Sequence, residues 1–134
     1  RLLAMLHLGF LWLGVSFVLA GASQLLGLRL GTPVLGLGAL HALTMGCLGS
    51  LMLAMVTRVS CGHGGRALVA DRIVWSLFCL LQLATVLRLV AALGGGGSVI
   101  LTLAAAATWT LAVLPWSWHL FNWWGRPRQD GRPG

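Results

Sequence analysis

The 134 residues include only 8% charged side chains and 58% apolar ones, and the mean hydropathy is +0.92. Because roughly a quarter of the residues in a soluble domain are charged, this composition excludes a disordered tail, a nucleic-acid-binding basic domain and an ordinary water-soluble enzyme. All nine basic residues are arginines, against the two acids Asp71 and Asp130, and the net charge is +7. The apolar residues fall in four blocks, each about long enough to cross a bilayer core of roughly 30 Å. We therefore expect an all-α, polytopic membrane protein with a bundle of four transmembrane helices.

The first two apolar blocks predict membrane spans over about residues 2–22 and 34–56. A polar break around Ser23, Gln24 and Arg29 should separate them. Thr32 and Pro33 give a helix-start signal, because threonine can cap free backbone amides and proline suits the first helical position. The first block is continuous and lacks a small-residue cleavage site, so we predict a mature helix rather than a signal peptide.

The last two spans are predicted over about residues 73–93 and 99–124, with a polar tail at residues 125–134. Asp71 ends the polar segment before the third span and is its expected N-cap. The glycine-rich run at residues 94–98 predicts a short turn between the two spans. Pro115 lies near the far end of the fourth span, where it should kink the helix and free a carbonyl group.

Arginine counts predict the orientation. Arg1, the segment between the second and third spans, and the tail together carry seven arginines, whereas the opposite side carries only Arg29. Because cytoplasmic loops are enriched in basic residues, both termini are expected on the cytoplasmic side. Near these inner ends lie five tryptophans, whose rings favour the membrane interface: Trp75, Trp116, Trp118, Trp123 and Trp124. The inner arginines should hold anionic lipid headgroups or a neighbouring subunit.

Ionisable residues inside the spans form two predicted layers. From the rise of about 1.5 Å per residue, His7 and His119 lie roughly 8 and 7 Å from the inner ends of their spans. His41 and Arg88 lie about 10 and 8 Å from the outer ends. Such groups are costly in a membrane and usually mark a site or a buried pair. All four are therefore candidate cofactor-binding residues, and His7 and His41 are also candidate metal ligands.

The outer layer has two interpretations. Haem or copper requires a histidine nitrogen held in a dry site, so His41 is a candidate iron ligand and Arg88 a candidate partner for a haem propionate. Alternatively, His41 hydrogen-bonds a neighbouring helix and Arg88 extends toward the outer headgroups. Small residues around His41 allow the close approach of another helix or of a flat macrocycle: Gly36, Gly38, Ala42, Gly46, Gly49 and Ser50.

Cys61 and His63 place a thiol and an imidazole two residues apart in the predicted inner loop, where they are candidate copper or zinc ligands. The alternative is a free thiol in a reducing cytoplasm. The sequence contains no serine triad, phosphate loop, paired carboxylates or dinucleotide motif. No catalytic residue is predicted.

Specific residue strings resemble one family. His-Ala-Leu-Thr at residues 41–44 and Thr-Arg-Val-Ser at residues 57–60 occur together, and the likeness spans nearly the whole chain. With Leu6-His7-Leu8-Gly9-Phe10, Leu87-Arg88 and the ending at residues 127–134, they resemble the NnrS family. The resemblance makes His7, His41, His63 and Arg88 candidate functional residues. Cys61 and Gly64 depart from the family's pattern.

The resemblance implies a multi-pass bacterial inner-membrane protein that carries haem b and copper and acts in nitric oxide metabolism, denitrification and protection against nitrosative stress. Family members are longer, so the chain, which opens at Arg1, is expected to be their C-terminal part. Its expected partners are the lipid bilayer and further transmembrane helices, from a missing N-terminal part or another subunit, and not nucleic acid. The rival hypothesis is a metal-free accessory or structural subunit of a larger membrane complex, such as a respiratory one.

Overall fold

The structure, a computed structural model, describes residues 1–31, 34–92 and 98–131. Four helices in these ranges are long and apolar enough to cross a membrane, and the described residues contain no strand. The helices are α1 (Leu2–Leu30), α2 (Gly38–His63), α3 (Arg72–Ala92) and α4 (Ser98–Phe121). The prediction of an all-α polytopic membrane protein with four transmembrane helices is therefore confirmed.

Helix α1 is longer than predicted. It runs for 29 residues, through the polar break expected around Ser23, and ends where Gly31 adopts a left-handed conformation with φ of 67°. The prediction of a break was wrong because the leucine-rich segment after Gln24 sustains the helix. Ser23 instead donates a 2.6 Å hydrogen bond to the carbonyl of Val34. Thr32 and Pro33, the predicted helix-start signal, lie outside the described residues.

Helix α2 contains a π-helical segment, Ala42–Leu48, that begins directly after His41. The helix then continues to His63, beyond the predicted end at residue 56. In the most apolar 18-residue stretch of α2, 39% of the residues are buried inside the bundle, against 17% for α1 and 11% for α4. Helix α2 is therefore the best-covered helix, with α1 packed along it and α3 in contact with its other side.

Two tryptophans pack onto the small residues of α2. A Cβ atom placed on Gly46 would lie 2.6 Å from Cγ and Cδ2 of Trp12, on α1. A Cβ atom on Gly49 would lie 2.7 Å from the ring of Trp109, on α4. At these two positions, the space that the glycines open is occupied by indole rings of the same chain, so the small residues serve helix packing here.

The hydrophobic core lies at one end of the bundle. We call this end, where α1 and α3 begin and α2 and α4 end, the inner end, and the opposite one the outer end. The largest buried apolar side chains are Met5, Leu53, Phe78 and Leu81, joined by Trp116. All come from the inner half or the middle of their helices. The outer end therefore contains a smaller share of the tight apolar packing.

Asp71 connects two helices at the inner end. Its Oδ1 accepts a 2.7 Å hydrogen bond from the backbone N–H of Val74, so the predicted N-cap of the third span is confirmed. Its Oδ2 lies 3.2 Å from Nε2 of His119, in the last turn of α4. Helix α4 continues through Pro115 and ends at Phe121, three residues earlier than expected for the fourth span. Of the turn predicted at residues 94–98, residues 94–97 lie outside the described residues, and Ser98 is already the first residue of α4.

Candidate functional site

The outer polar layer centres on His41. Its side chain is half-buried, and its Nε2 atom is buried with no hydrogen-bond partner among the described residues. Burying a polar atom without a partner costs about 1–3 kcal/mol in proteins, so such an atom calls for an explanation. The π-helical segment that starts at the next residue is a feature found frequently at functional sites.

Arg88 faces the same region from α3. Nη1 of its guanidinium donates a 3.2 Å hydrogen bond to Oγ1 of Thr102 on α4. Arg88 also lines an open cavity of ≈ 320 Å³ together with Met45, Thr102 and Trp109. Since Arg88 is half-buried and bonded to a neighbouring helix, it points into the bundle in this structure. Arg88 thus shares a cavity with Met45, which lies four residues after His41 in α2.

A second polar group crosses the middle of the bundle. Nε1 of Trp12 donates a 2.6 Å hydrogen bond to Oε1 of Gln82, and Nε2 of Gln82 donates a 2.8 Å bond to Oγ of the fully buried Ser50. Sequence reasoning missed this connection because it considered ionisable residues and passed over amides. The available signal was Gln82 itself, a side-chain amide inside the apolar third span.

The predicted inner layer does not form a shared site. His7 is exposed on α1, and its Nδ1 lies 2.8 Å from the carbonyl of Leu3, which requires a proton on that nitrogen. His119 bonds Asp71 through Nε2 and packs its ring edge-on against Trp123 at 5.0 Å. Since α1 packs along α2, and α4 along α3, the two imidazoles have separate surroundings.

Cys61 and His63 are not brought together either. Cys61 is buried in the bundle with 2% of its surface exposed, whereas His63 is exposed. The predicted loop is in fact the last turn of α2, where residues two apart do not face each other. All three cysteines, Cys47, Cys61 and Cys79, are free. Within residues 1–31, 34–92 and 98–131, no three His, Cys, Asp or Glu side chains are grouped to hold a metal ion.

His63 instead lines a cleft at the inner end. This cleft, of ≈ 560 Å³, lies between the end of α2 and the segment after α4, and its polar side chains are Ser60, His63 and Arg126. The segment returns onto α2 through a 3.0 Å hydrogen bond from the N–H of Gln129 to the carbonyl of Gly64. The sequence does not predict that this segment folds back onto α2, because the contact is formed by two backbone groups.

Comparison with known proteins agrees with the resemblance noted in the sequence. The family model described as NnrS protein matches residues 1–128. The match covers all four helices and every candidate site residue, from His7 to His119. Searches of curated proteins and of solved structures give no match. Because the family model covers nearly the whole chain, this multi-pass membrane protein belongs to the NnrS family.

Proposed function

We propose that the chain acts in nitric oxide metabolism and the response to nitrosative stress as a haem-binding protein of the bacterial inner membrane. Membership of the NnrS family supports a function related to nitric oxide. Four long apolar helices support a multi-pass position in a lipid bilayer. The observation that carries the haem assignment is the buried Nε2 of His41, which has no hydrogen-bond partner among the described residues.

Two residues of the outer layer have the chemistry to hold a haem. His41 would hold the iron, because a neutral imidazole nitrogen is a common haem ligand. Arg88 would pair with a propionate, since guanidinium binds carboxylates with two parallel hydrogen bonds. Thr102 orients the guanidinium, and Met45 and Trp109 give the neighbouring cavity an apolar wall. When bound, haem supplies an iron centre able to bind nitric oxide.

The candidate copper ligands do not form a comparable site. The candidate ligands His7, His63 and Cys61 lie at three different places, two of them exposed and one buried. In the described part of the chain, no set of three side chains is positioned to hold a metal ion. We therefore assign no residue of this chain to copper.

Absorption spectroscopy tests the haem proposal. The purified protein, supplied with haem b, should show a Soret band that His41→Ala abolishes or shifts. Arg88→Leu should weaken haem retention without changing the ligand. His63→Ala is the matched control, because this imidazole lies at the inner end. A wild-type spectrum in a correctly inserted His41→Ala protein would overturn the assignment.

The second candidate function is a metal-free accessory subunit of a larger membrane complex. The observation in its favour is the apolar surface of α4, where only 11% of the most apolar stretch is buried inside the bundle. Such a surface suits either lipid or further transmembrane helices. The same experiment separates the two proposals, because an accessory subunit shows no Soret band and His41→Ala then lowers only its stability.

A further inference from the structure

Two neighbouring clefts at the inner end differ in chemistry. The polar cleft, defined by Ser60, His63 and Arg126, opens where α2 ends. The apolar cleft, of ≈ 450 Å³, is lined mainly by carbon, with Leu114, Trp118 and Phe121 among its walls. Val56 and Trp124 line both clefts, so the two spaces are adjacent. Both clefts have mainly apolar walls, and only the polar cleft contains a charged side chain, Arg126, with Ser60 and His63.

The apolar cleft extends into the membrane-spanning part of the bundle. From Phe121, the last residue of α4, to Leu114 the helix rises about 10 Å. The polar cleft follows the last turns of α2, from Met55 to His63, and reaches Trp123 and Trp124 after the end of α4, residue types that favour the membrane interface. The double cleft therefore has the polarity profile of an amphiphile that sits in the bilayer, with its head at the interface.

The walls of the polar cleft are held in place from two sides. The guanidinium of Arg66 stacks over the ring of Trp123, with its carbon 4.4 Å from the ring centre. The N–H of Gln129 donates to the carbonyl of Gly64 at 3.0 Å, so the segment that contains Arg126 is tied to the end of α2. The cleft is thus built by contacts between elements far apart in the sequence.

The charge of the region favours an anion. Neither of the two acids in the chain lines either cleft. Asp71 bonds His119 and Val74, and Asp130 forms an ion pair with Arg128 at 2.6 Å. Arg126 and the hydrogen-bonding groups of Ser60 and His63 therefore face the polar cleft without a carboxylate there.

We propose that the double cleft binds one anionic phospholipid. Arg126, Ser60 and His63 contact its phosphate, and one acyl chain lies along Leu114, Trp118 and Phe121. This site is separate from the outer layer around His41 and does not depend on haem binding. The phosphate supplies the negative charge that the cleft lacks, and the acyl chain covers apolar walls that face the membrane.

Native mass spectrometry of the purified full chain tests this proposal. With equal amounts of dioleoyl phosphatidylglycerol and dioleoyl phosphatidylcholine, the protein should retain one phosphatidylglycerol after the other lipids are removed. Arg126→Gln should lower this preference roughly fivefold, the equivalent of about 1 kcal/mol for one arginine near anionic lipid. Arg126→Lys should restore most of it. Equal retention of both lipids by the unmodified protein would overturn the proposal.

Arg58→Gln is the matched control. It removes the same charge from the inner end, but Arg58 lines a different cleft, with Arg1 and Leu68. It should leave the retained phosphatidylglycerol unchanged. If Arg58→Gln and Arg126→Gln reduced retention equally, binding would follow the overall charge of the inner end and the double cleft would be ruled out as the site.

A variant of the apolar cleft tests the other half of the site. Ser117 lines the apolar cleft and is exposed, so Ser117→Phe should fill that cleft without disturbing the core. It should abolish retention of dioleoyl phosphatidylglycerol but not binding of the dihexanoyl form. Equal loss of both would contradict the acyl-chain assignment. If decylubiquinone displaced the lipid and its binding were unaffected by Arg126→Gln, the occupant would be a neutral amphiphile and the proposal would be wrong.

Discussion

Nε1 of Trp12 donates a 2.6 Å hydrogen bond to Oε1 of Gln82, which joins α1 to α3 in the middle of the bundle. The amide nitrogen of Gln82 then donates to Ser50 on α2 at 2.8 Å. One side chain therefore links three helices. In a hydrocarbon environment the association of helices depends on packing and on such interhelical bonds, rather than on the hydrophobic effect.

Gln82→Leu should lower the free energy of unfolding by about 1–3 kcal/mol, because it leaves the indole N–H of Trp12 and the hydroxyl of Ser50 without their partner. The measurement is unfolding of the purified protein in mixed detergent micelles. Gln24→Leu is the matched control, since Gln24 is exposed on α1. Equal stability of the two variants would show that the three-helix link contributes nothing.

Gly46→Ala should destabilise the bundle by about 1–3 kcal/mol, because the added methyl group forces apart closely packed atoms. Its Cβ would lie 2.6 Å from ring atoms of Trp12, closer than carbon atoms can pack. Gly14→Ala, in α1, provides the contrast because nothing lies within 4 Å of its added Cβ. That variant should gain about 0.5–1 kcal/mol from the lower chain entropy of alanine. The same unfolding measurement compares them, and a neutral Gly46→Ala would contradict the close contact.

Asp71→Ala should cost about 0.5–2 kcal/mol through loss of the N-cap of α3. Asp71→Asn keeps a side-chain oxygen for the N–H of Val74 and removes only the charge opposite His119. Because the side chains of His119 and Asp71 are 25% and 46% exposed, that ion pair should contribute only about 0–1 kcal/mol. Thermal unfolding should therefore place Asp71→Asn between the unmodified protein and Asp71→Ala. If Asp71→Asn were as unstable as Asp71→Ala, the charge of Asp71 rather than its cap would account for the loss.

The arginine distribution predicts that both termini face the cytoplasm. In a protein whose Cys47, Cys61 and Cys79 are replaced by alanine, Ser98→Cys should react with a membrane-impermeant maleimide added from the periplasmic side. Gln129→Cys should react only after the cytoplasmic side is opened. The reverse labelling pattern would overturn the predicted orientation.

Much of the fold follows from the sequence because the membrane limits the choices. Apolar blocks of spanning length must be helical, so four helices were predictable, as was the N-cap at Asp71. The helical rise also predicts a common level for His41 and Arg88. The end of α1 could not be predicted in this way, because isolated polar residues such as Ser23 stop a helix only when the following residues also disfavour it.

The contacts between helices could not be predicted from the sequence, for a physical reason. The rise along a helix gives the depth of a residue, but not the direction of its side chain relative to a neighbouring helix. Predicting the hydrogen bond from Trp12 to Gln82 requires both the depth and the direction of each side chain. The same limit explains Cys61 and His63, whose closeness in sequence predicted a shared site, whereas the helical turn separates their side chains.

The π-helical segment Ala42–Leu48 divides α2 into two parts with independent angular settings. Each residue of an α-helix turns the chain by about 100°, so one extra residue in a turn rotates everything before it relative to everything after it. The part after the segment places Ser50 and Leu53 in the interior. The part before it carries His41, whose direction therefore does not follow from the register of Ser50 and Leu53. Deleting one residue from the segment would turn His41 by about 100° relative to Ser50 and Leu53, so the segment sets the angle between the two parts of α2.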